Sequence, residues 1–326
     1  MMNLDLMWRV LAYLSNDTSH LIKDMLNRWT TNPKDIRFFR ASSNFVFSFQ
    51  MANQPYFLRF SSAREKDAVQ IEQELNFIRF LDAGGLKVAR PVPSLSGTLL
   101  EQVSSPLGVF HAVVFEGLTG EHYDLDELSE EQLVIWGAAL GGLHKASSSY
   151  PANLRPSWQS QLAWICESLP QTEQRALHFA HTLRQDLSRL PVSSDNYGLI
   201  HYDFEPDNLI WQGNNVQILD FDDCMNSWFA ADIISALSDL FDNSSTKITL
   251  DNSAFQLFLK GYQRVKALPS EDLDFLSLFL HFENLLKFTK ILCSRENLDT
   301  EHCPEWAHQL DRKLENRLES YRKTFA

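Results

Sequence analysis

The stretch from Leu199 to Cys224, LIHYDFEPDNLIWQGNNVQILDFDDC, constrains the fold of this chain more than any other. Short apolar runs at Leu199-Ile200, Leu209-Ile210-Trp211 and Val216 to Leu219 have the composition of β-strands. Between the last two runs, Gly213-Asn214-Asn215 supplies turn residues that tolerate positive φ. The sequence therefore predicts a small hairpin that folds the chain back on itself.

This hairpin carries a spaced set of polar side chains. His201, Asp203 and Asn208 form the pattern H-x-D-x-x-x-x-N, and Asp220-Phe221-Asp222 follows the second strand. Asn208 stands at the head of one strand and Asp220 at the tail of the other, so the hairpin is expected to bring them close together. Asp203 lies in the loop just before.

Phosphoryl transfer from a nucleotide needs such a set. One carboxylate orients the attacking hydroxyl and accepts its proton, while a second carboxylate and an amide oxygen hold the magnesium that neutralises the phosphates. Asp203 suits the first role, and Asn208 and Asp220 suit the second. Asp222 is expected to assist at the metal site.

The pattern resembles that of the aminoglycoside phosphotransferase and choline kinase family, in which H-x-D-x-x-x-x-N precedes D-x-D or D-x-E. The resemblance covers about residue 35 to residue 290. It implies an α+β, two-lobed protein-kinase-like fold, with a small antiparallel β lobe and a large, mainly helical lobe. It also implies Mg²⁺ as cofactor and ATP or GTP as co-substrate, and it makes His201 a structural brace for the loop.

A polar loop, Arg40-Ala41-Ser42-Ser43-Asn44, precedes two predicted strands and stands where this family folds a loop over the nucleotide phosphates. The family commonly has a glycine here, and this loop has none. The resemblance still assigns Ser42, Ser43 and Asn44 to the phosphates, through hydroxyl, amide and backbone donors. An ordinary polar entry to a hairpin is the alternative.

A buried ion pair is predicted between Arg59 and Glu74. Arg59 interrupts an apolar strand, where the family places a cation that reaches the phosphates. From Asp67 to Leu81 the apolar residues recur at helical spacing, and Glu74 lies at the border of their stripe, where an unpaired carboxylate is costly. Glu72, in contrast, lies on the polar face of the same helix.

The segment from His111 to Glu121 resembles the linker of the same family, an apolar strand that passes into a glycine-containing crossover beneath the adenine. The resemblance implies that backbone groups of Phe115, Glu116 and Leu118 contact the base. Side chains there carry little information about ATP versus GTP.

Three ranges describe the predicted domain organisation. They are an N-terminal helical extension (1–34), a small nucleotide-binding β lobe (35–116), and a large helical lobe with the catalytic loop and an acceptor cleft (117–326). His144, on an apolar helix face, and Asp232, after the catalytic stretch, are expected to be structural.

Charge and cysteine content exclude several protein classes. A net charge of −13 argues against a nucleic-acid-binding surface and mildly favours a cationic substrate. The four cysteines are too scattered for a zinc motif, so reduced thiols and a cytoplasmic location are expected. Asp5 and Arg9 interrupt the apolar start, which predicts neither a signal peptide nor a membrane segment.

The leading hypothesis is a small-molecule kinase that phosphorylates a hydroxyl of a small, possibly amine-bearing, substrate. Five acidic side chains could form a rim that binds amines, or could simply be solvated surface. They are Glu121, Asp124, Glu205, Asp207 and Asp223. A metal-dependent phosphohydrolase and a non-catalytic kinase-like protein are the alternatives. A protein kinase is disfavoured, because H-Y-D replaces H-R-D and the glycine of D-F-G is missing. The oligomeric state is not predicted.

Overall fold

The computed structural model describes residues 1–16, 20–240 and 250–325. The predicted ranges 1–34 and 117–326 therefore include a few positions, 17–19, 241–249 and 326, that lie outside the described residues. Within the described part of the chain, no helix is both long enough and apolar enough to cross a bilayer.

Helices and strands alternate early in the chain, and helices dominate later. The helices are α1 (Leu4–Leu14), α2 (Leu21–Leu26), α3 (Ala68–Ala83), α4 (Glu130–Ser147), α5 (Trp158–Ser168), α6 (Gln174–Leu187), α7 (Phe229–Ala236), α8 (Ser253–Gln263), α9 (Ser270–Leu273), α10 (Leu276–Ser294) and α11 (Glu305–Thr324). The strands are β1 (Lys34–Ala41), β2 (Phe45–Met51), β3 (Gln54–Ser62), β4 (Pro91–Val92), β5 (Glu101–Ser105), β6 (Gly108–Glu116), β7 (Tyr197–Ile200), β8 (Leu209–Gln212), β9 (Asn215–Ile218) and β10 (Met225–Trp228).

The chain divides into two compact units. The first comprises Met1–Arg79, Ala89–Leu118 and Lys290–Glu315, so helices α1 and α2 belong to the same unit as strands β1 to β6. The second comprises Phe80–Val88, Thr119–Thr289 and Asn316–Ala326. The three domain ranges given above remain a prediction.

A six-stranded antiparallel sheet forms the centre of the first unit, with strand order β1-β2-β3-β6-β4 and β5 paired to β6. The predicted loop from Arg40 to Asn44 is wrong at its first two residues, because Arg40 and Ala41 end strand β1. Strand β1 was missed because most of its residues are exposed, so it lacks the alternation of apolar and polar residues that marks a half-buried strand.

The two faces of this sheet differ in chemistry. One face carries an aromatic layer in which the Phe60 ring stacks on Phe45 at 5.0 Å and meets Phe110 edge-on at 5.6 Å. Arg59, one residue away, points to the other face and is paired in register with Val46 and Val113. The alternation of β2 and its register with β3 thus fix which face Arg59 occupies.

In the second unit, two small antiparallel pairs carry the catalytic stretch. The predicted hairpin is confirmed, since β8 pairs with β9 from Leu209–Ile218 to Gln212–Asn215. Gly213 in its turn has φ +60, the left-handed conformation that glycine adopts without strain. Strand β7, which leads into the catalytic loop, pairs with β10, which follows the D-F-D-D segment.

Helix α4 packs closely on α8 in the same unit. A capping box starts α4, because the Ser129 side chain accepts from the Gln132 N–H and the Gln132 side chain accepts from the Ser129 N–H. A Cβ atom on Gly137 would lie 1.9 Å from the Phe258 carbonyl oxygen, and one on Gly261 would lie 1.9 Å from the Val134 carbonyl oxygen. The two helix backbones therefore touch at glycines.

This contact predicts opposite effects for two glycines of α4. Gly137→Ala should lower the free energy of unfolding by about 1–3 kcal/mol, because the backbone of α8 has to shift. Gly142→Ala, with no atom within 4 Å of the new Cβ, should raise it by up to about 1 kcal/mol through helix propensity. Denaturant titrations of the two variants measure the difference, and equal effects would contradict a close helix contact at Gly137.

Candidate active site

The predicted ion pair in the first unit is present. Arg59 Nη1 donates to Glu74 Oε1 at 2.7 Å and Nη2 donates to Oε2 at 2.8 Å, which makes the pair bidentate. Glu74 is fully buried and Arg59 is 9% exposed. A bidentate guanidinium–carboxylate contact fixes the plane of the arginine, so Glu74 determines how Arg59 is presented.

A third side chain supports Arg59. Its guanidinium carbon lies 4.9 Å from the centre of the Phe115 ring, within cation–π range. Phe115 follows Val113 by two residues on β6 and therefore faces the same side of the sheet as Arg59. The sequence assigned Phe115 to the nucleotide through its backbone, and the structure adds a role for its ring.

The turn between β1 and β2 is held by hydrogen bonds in place of glycine. The Ser42 N–H donates to the Asn44 carbonyl at 3.2 Å, and the Ser42 carbonyl accepts from the Met2 N–H at 2.9 Å. Lys66 Nζ donates to Asn44 Oδ1 at 3.0 Å, and Asn44 is 5% exposed. Ser43 lies between these two anchored residues. The Asn44 side-chain oxygen thus serves the turn, and Lys66 is a cation beside it that the sequence analysis missed.

The linker after β6 already uses two of its backbone donors. The Glu116 N–H donates to the Arg90 carbonyl and the Gly117 N–H donates to the Pro55 carbonyl, both at 2.9 Å. A Cβ atom on Gly117 would lie 2.8 Å from that Pro55 oxygen, so only glycine allows this approach. Of the predicted backbone contacts with a base, those through these two N–H groups are therefore disfavoured.

In the second unit, a buried carboxylate holds the catalytic loop. Asp232 Oδ2 accepts from the His201 N–H at 2.8 Å, and its Oδ1 accepts from the Tyr202 N–H at 2.7 Å. His201 is itself buried, and its Nε2 donates to the Leu219 carbonyl at 2.8 Å. Both side chains brace the loop, as predicted.

His144 completes this network from helix α4. Its Nε2 lies 2.9 Å from Asp232 Oδ2, and its Nδ1 lies 2.9 Å from the Tyr262 hydroxyl. Burial lowers the pKa of His144, against the opposing effect of Asp232. A neutral ring that donates from Nε2 and accepts at Nδ1 satisfies every partner. The expectation that His144 is a satisfied core residue is confirmed.

Asp203 is held at one of its two carboxylate oxygens. Asn208 Nδ2 donates to Asp203 Oδ2 at 2.7 Å and to the Asp203 carbonyl at 2.9 Å. Burial raises the pKa of Asp203 to about 8, and the neighbouring carboxylates of Asp223, Glu205 and Asp220 act in the same direction. Burial and these carboxylates therefore disfavour the ionised form of the predicted base.

The predicted metal ligands fit a magnesium ion. Because the Asn208 amide nitrogen donates to Asp203, its oxygen is the atom left for a cation. The Leu219 N–H donates to the Asn208 carbonyl at 2.9 Å, which joins Asn208 to the residue before Asp220, as the hairpin predicted. Among the described residues, no group of three or more His, Cys, Asp or Glu side chains could hold a metal. Magnesium suits a smaller set, because it keeps waters and substrate phosphates as ligands.

Two residues of the catalytic stretch, Tyr202 and Asp220, have strained backbones. Tyr202, just before Asp203, has φ +63, and Asp220 has φ +53. For residues other than glycine, such conformations cost about 1–3 kcal/mol and persist where the surroundings fix them. The Tyr202 carbonyl accepts from Ser235 Oγ at 3.0 Å, which adds to the hold of Asp232 on its N–H.

A lysine that the sequence analysis missed lies among acids of the same unit. Lys287 Nζ is 2.6 Å from Glu283 Oε1 and 3.7 Å from Glu205 Oε1. Burial opposes its charge, but Glu283 and Glu205 together raise the pKa of Lys287. Glu205, predicted as part of an acidic rim, is thus partly neutralised from within the protein.

These features define a kinase-like phosphotransferase: a strand arginine paired with a helix glutamate, a braced H-x-D-x-x-x-x-N loop and a D-x-D segment. Residues 35–268 match the family model APH, the phosphotransferase enzyme family, and the chain belongs to this family. It is a small-molecule kinase, a phosphotransferase with an alcohol group as acceptor.

Relatives agree with this assignment. Amicoumacin kinase of Bacillus subtilis (strain 168) is 28% identical over 272 residues, which cover 79% of this chain and 80% of that protein. A structure of amicoumacin kinase hAmiN in complex with AMP-PNP, Ca²⁺ and Ami is similar with a TM-score of 0.77 and 23% identity, over 97% of this chain and 96% of that one. The microcompartment-associated aminopropanol kinase gives 0.67 and 21%, over 92% and 94%. The predicted protein-kinase-like fold is confirmed.

The buried ion pair predicts different effects for two glutamates of α3. Glu74→Gln leaves the guanidinium of Arg59 without its carboxylate, and breaking such a pair costs about 3–5 kcal/mol. Glu72→Gln, on the exposed face of the same helix, should change the free energy of unfolding by less than about 0.5 kcal/mol. Denaturant titration measures both, and a Glu74 variant as stable as the Glu72 variant would contradict the pair.

The raised pKa of Asp203 predicts that this carboxyl destabilises the metal-free protein at high pH. A carboxyl with a pKa of about 8 when folded and 3.8 when unfolded binds its proton more tightly in the folded state, so its contribution to stability falls across this range. Asp203→Asn should therefore stabilise the protein near pH 8 by at least about 1 kcal/mol, and by less near pH 5. Thermal unfolding in a chelator tests this, with the exposed Asp207→Asn as control. A gain that does not grow with pH would refute the assignment.

Proposed function

We propose that this kinase transfers the γ-phosphoryl group of ATP or GTP to a hydroxyl of a small, amine-bearing acceptor, with Mg²⁺ as cofactor. The observation that carries the proposal is the bidentate, buried Arg59–Glu74 pair. A metal-dependent phosphohydrolase would need the acids of the catalytic stretch but would have no use for this pair. In a kinase, an arginine held in one plane is suited to nucleotide phosphates.

Each residue then has a role that its contacts support. Asp203 Oδ2 is occupied by Asn208, so Oδ1 orients the acceptor hydroxyl and takes its proton as the oxygen–phosphorus bond forms. The bond from the γ-phosphorus to the bridging oxygen of the nucleotide breaks, and the nucleoside diphosphate leaves. Asn208 Oδ1 and Asp220, with help from Asp222, would hold the Mg²⁺.

The cation supplies charge neutralisation of the phosphates. A cation held by Asn208 and Asp220 would also favour the ionised form of Asp203, against the effect of burial. We therefore expect Asp203 to be able to accept a proton when Mg²⁺ and the nucleotide are bound. In the first unit, Arg59 and the turn from Ser42 to Asn44 would bind phosphate oxygens, with the Ser42 N–H already used inside the turn, and the Glu116-to-Leu118 linker would bind the base.

An acceptor with an amino group is supported by charge and by relatives. Glu205, two residues after Asp203 along the catalytic loop, and Glu283 lie 3.7 and 2.6 Å from Lys287 Nζ, so two carboxylates face one ammonium group. Asp207 and Asp223 add acid to the same stretch, and the whole chain carries a net charge of −13. The aminopropanol kinase reported above is named for an amino alcohol. We therefore infer an amino alcohol, small or part of a larger molecule.

Nucleotide binding and substrate-dependent turnover test the proposal in two steps. Mg-ATP or Mg-GTP should raise the melting temperature of the protein, and amino alcohols and aminoglycosides should then be screened for release of ADP or GDP. Asp203→Asn serves as the control, because it should keep the thermal shift and lose turnover by a factor of about 100 or more. No shift with either nucleotide would favour a non-catalytic kinase-like protein.

The metal assignment predicts a specific loss in Asp220→Ala. Removing a carboxylate ligand should abolish the part of nucleotide binding that depends on magnesium, about tenfold or more in affinity, and leave the magnesium-independent part unchanged. Calorimetry with and without Mg²⁺ measures both parts. Asp126→Ala, an exposed acid of the same unit, should behave as the wild type. An Asp220 variant with full magnesium dependence would remove this residue from the metal site.

A further inference from the structure

Arg155 contacts the backbone of the segment that follows Asp220. It lies between helices α4 and α5 and is 8% exposed. Its Nε donates to the Cys224 carbonyl at 2.8 Å, and its Nη2 donates to the Asp222 carbonyl at 2.5 Å. Both acceptors are main-chain oxygens of the D-F-D-D-C stretch, which contains two of the predicted metal ligands, Asp220 and Asp222.

This segment needs such support. Phe221 to Asp223 form a single short 3₁₀ turn, and the Cys224 N–H donates to the Phe221 carbonyl at 3.1 Å. Asp220, at its start, holds the strained left-handed conformation with φ +53. Strained backbone persists only where several contacts determine it, and a charged donor makes stronger hydrogen bonds than a neutral one.

Arg155 is itself held in place by two asparagines. Its N–H donates to Asn153 Oδ1 at 3.0 Å, and its carbonyl accepts from Asn226 Nδ2 at 3.0 Å. The amides of Asn153 and Asn226 also bond each other in both directions, at 3.1 and 3.0 Å. The Asn226 N–H donates to the Pro156 carbonyl at 2.7 Å. Since Asn226 lies on β10, just after the metal segment, the guanidinium is fixed relative to that segment.

We propose that Arg155 is a positioning residue for the metal-binding segment. Through the Asp222 and Cys224 carbonyls it fixes the turn that presents Asp220 and Asp222 to the cation. Its positive charge, bound to the backbone of a segment with three acids in four residues, would also reduce the repulsion among Asp220, Asp222 and Asp223. This inference rests on the proposed function, because it assigns Arg155 to the same magnesium site.

The first test measures magnesium dependence. Arg155→Gln removes the charge, and Arg155→Lys keeps the charge but loses the planar fork that reaches two carbonyls. Both variants should need about tenfold more Mg²⁺ to reach half of the magnesium-dependent nucleotide binding. The titration is made well below the melting temperatures of the variants. Binding without Mg²⁺ should stay as in the wild type. Arg189→Gln, at an exposed arginine of the same unit, is the matched control and should not shift the midpoint. Unchanged midpoints in both Arg155 variants would overturn the proposal.

The second test needs neither nucleotide nor metal. Hydrogen exchange of residues 219–226 in metal-free protein should be faster in the Arg155 variants, while exchange in helix α6 should be unchanged. Asn153→Ala removes the acceptor of the Arg155 N–H but keeps the guanidinium, so it should speed exchange in the same segment to a smaller extent. This variant tests the proposal even if the Arg155 variants fail to fold. Equal exchange in this segment would overturn the positioning role. If the wild type shows no magnesium-dependent nucleotide binding, the proposed function fails, and exchange alone then decides the role of Arg155.

Discussion

The buried carboxylate of Asp232 is the interaction on which the catalytic half of this protein depends. It accepts from two consecutive backbone N–H groups of the catalytic loop and from a histidine ring of helix α4. A carboxylate without solvent is stable only where donors replace water, so the loop and Asp232 need each other. Because the Tyr262 hydroxyl lies on the far side of His144, helix α8 is joined to the same network.

The parts of the site that the sequence predicted are those encoded by short-range spacing. Asp203, Asn208 and Asp220 stand at fixed offsets around one hairpin, so local pattern was enough to bring them together. The sequence distinguished Glu74 from Glu72, because Glu74 lies at the border of the apolar helix stripe. In the structure Glu74 is buried and Glu72 is exposed. The position of Arg59 between Leu58 and Phe60 in one strand likewise fixed its orientation.

What the sequence did not predict depends on contacts between distant segments. Arg155 and the Cys224 carbonyl are 69 residues apart, and nothing around Arg155 in the sequence indicates a partner. Lys66 and Asn44 are 22 residues apart, in two different loops. Strand β1 was missed for another reason, because an edge strand with exposed residues on both faces shows no periodic burial for a pattern to detect.

The turn between β1 and β2 has a consequence for how such proteins diverge. A glycine-rich loop adopts its conformation without help from other segments, so it can be exchanged among relatives on its own. Here the conformation is set by contacts with Met2 and Lys66, which belong to other segments. If the turn alone were replaced by the glycine-bearing loop of a relative, Met2 and Lys66 would lose their hydrogen-bond partners. The turn and the segments that carry these two residues are therefore expected to evolve together.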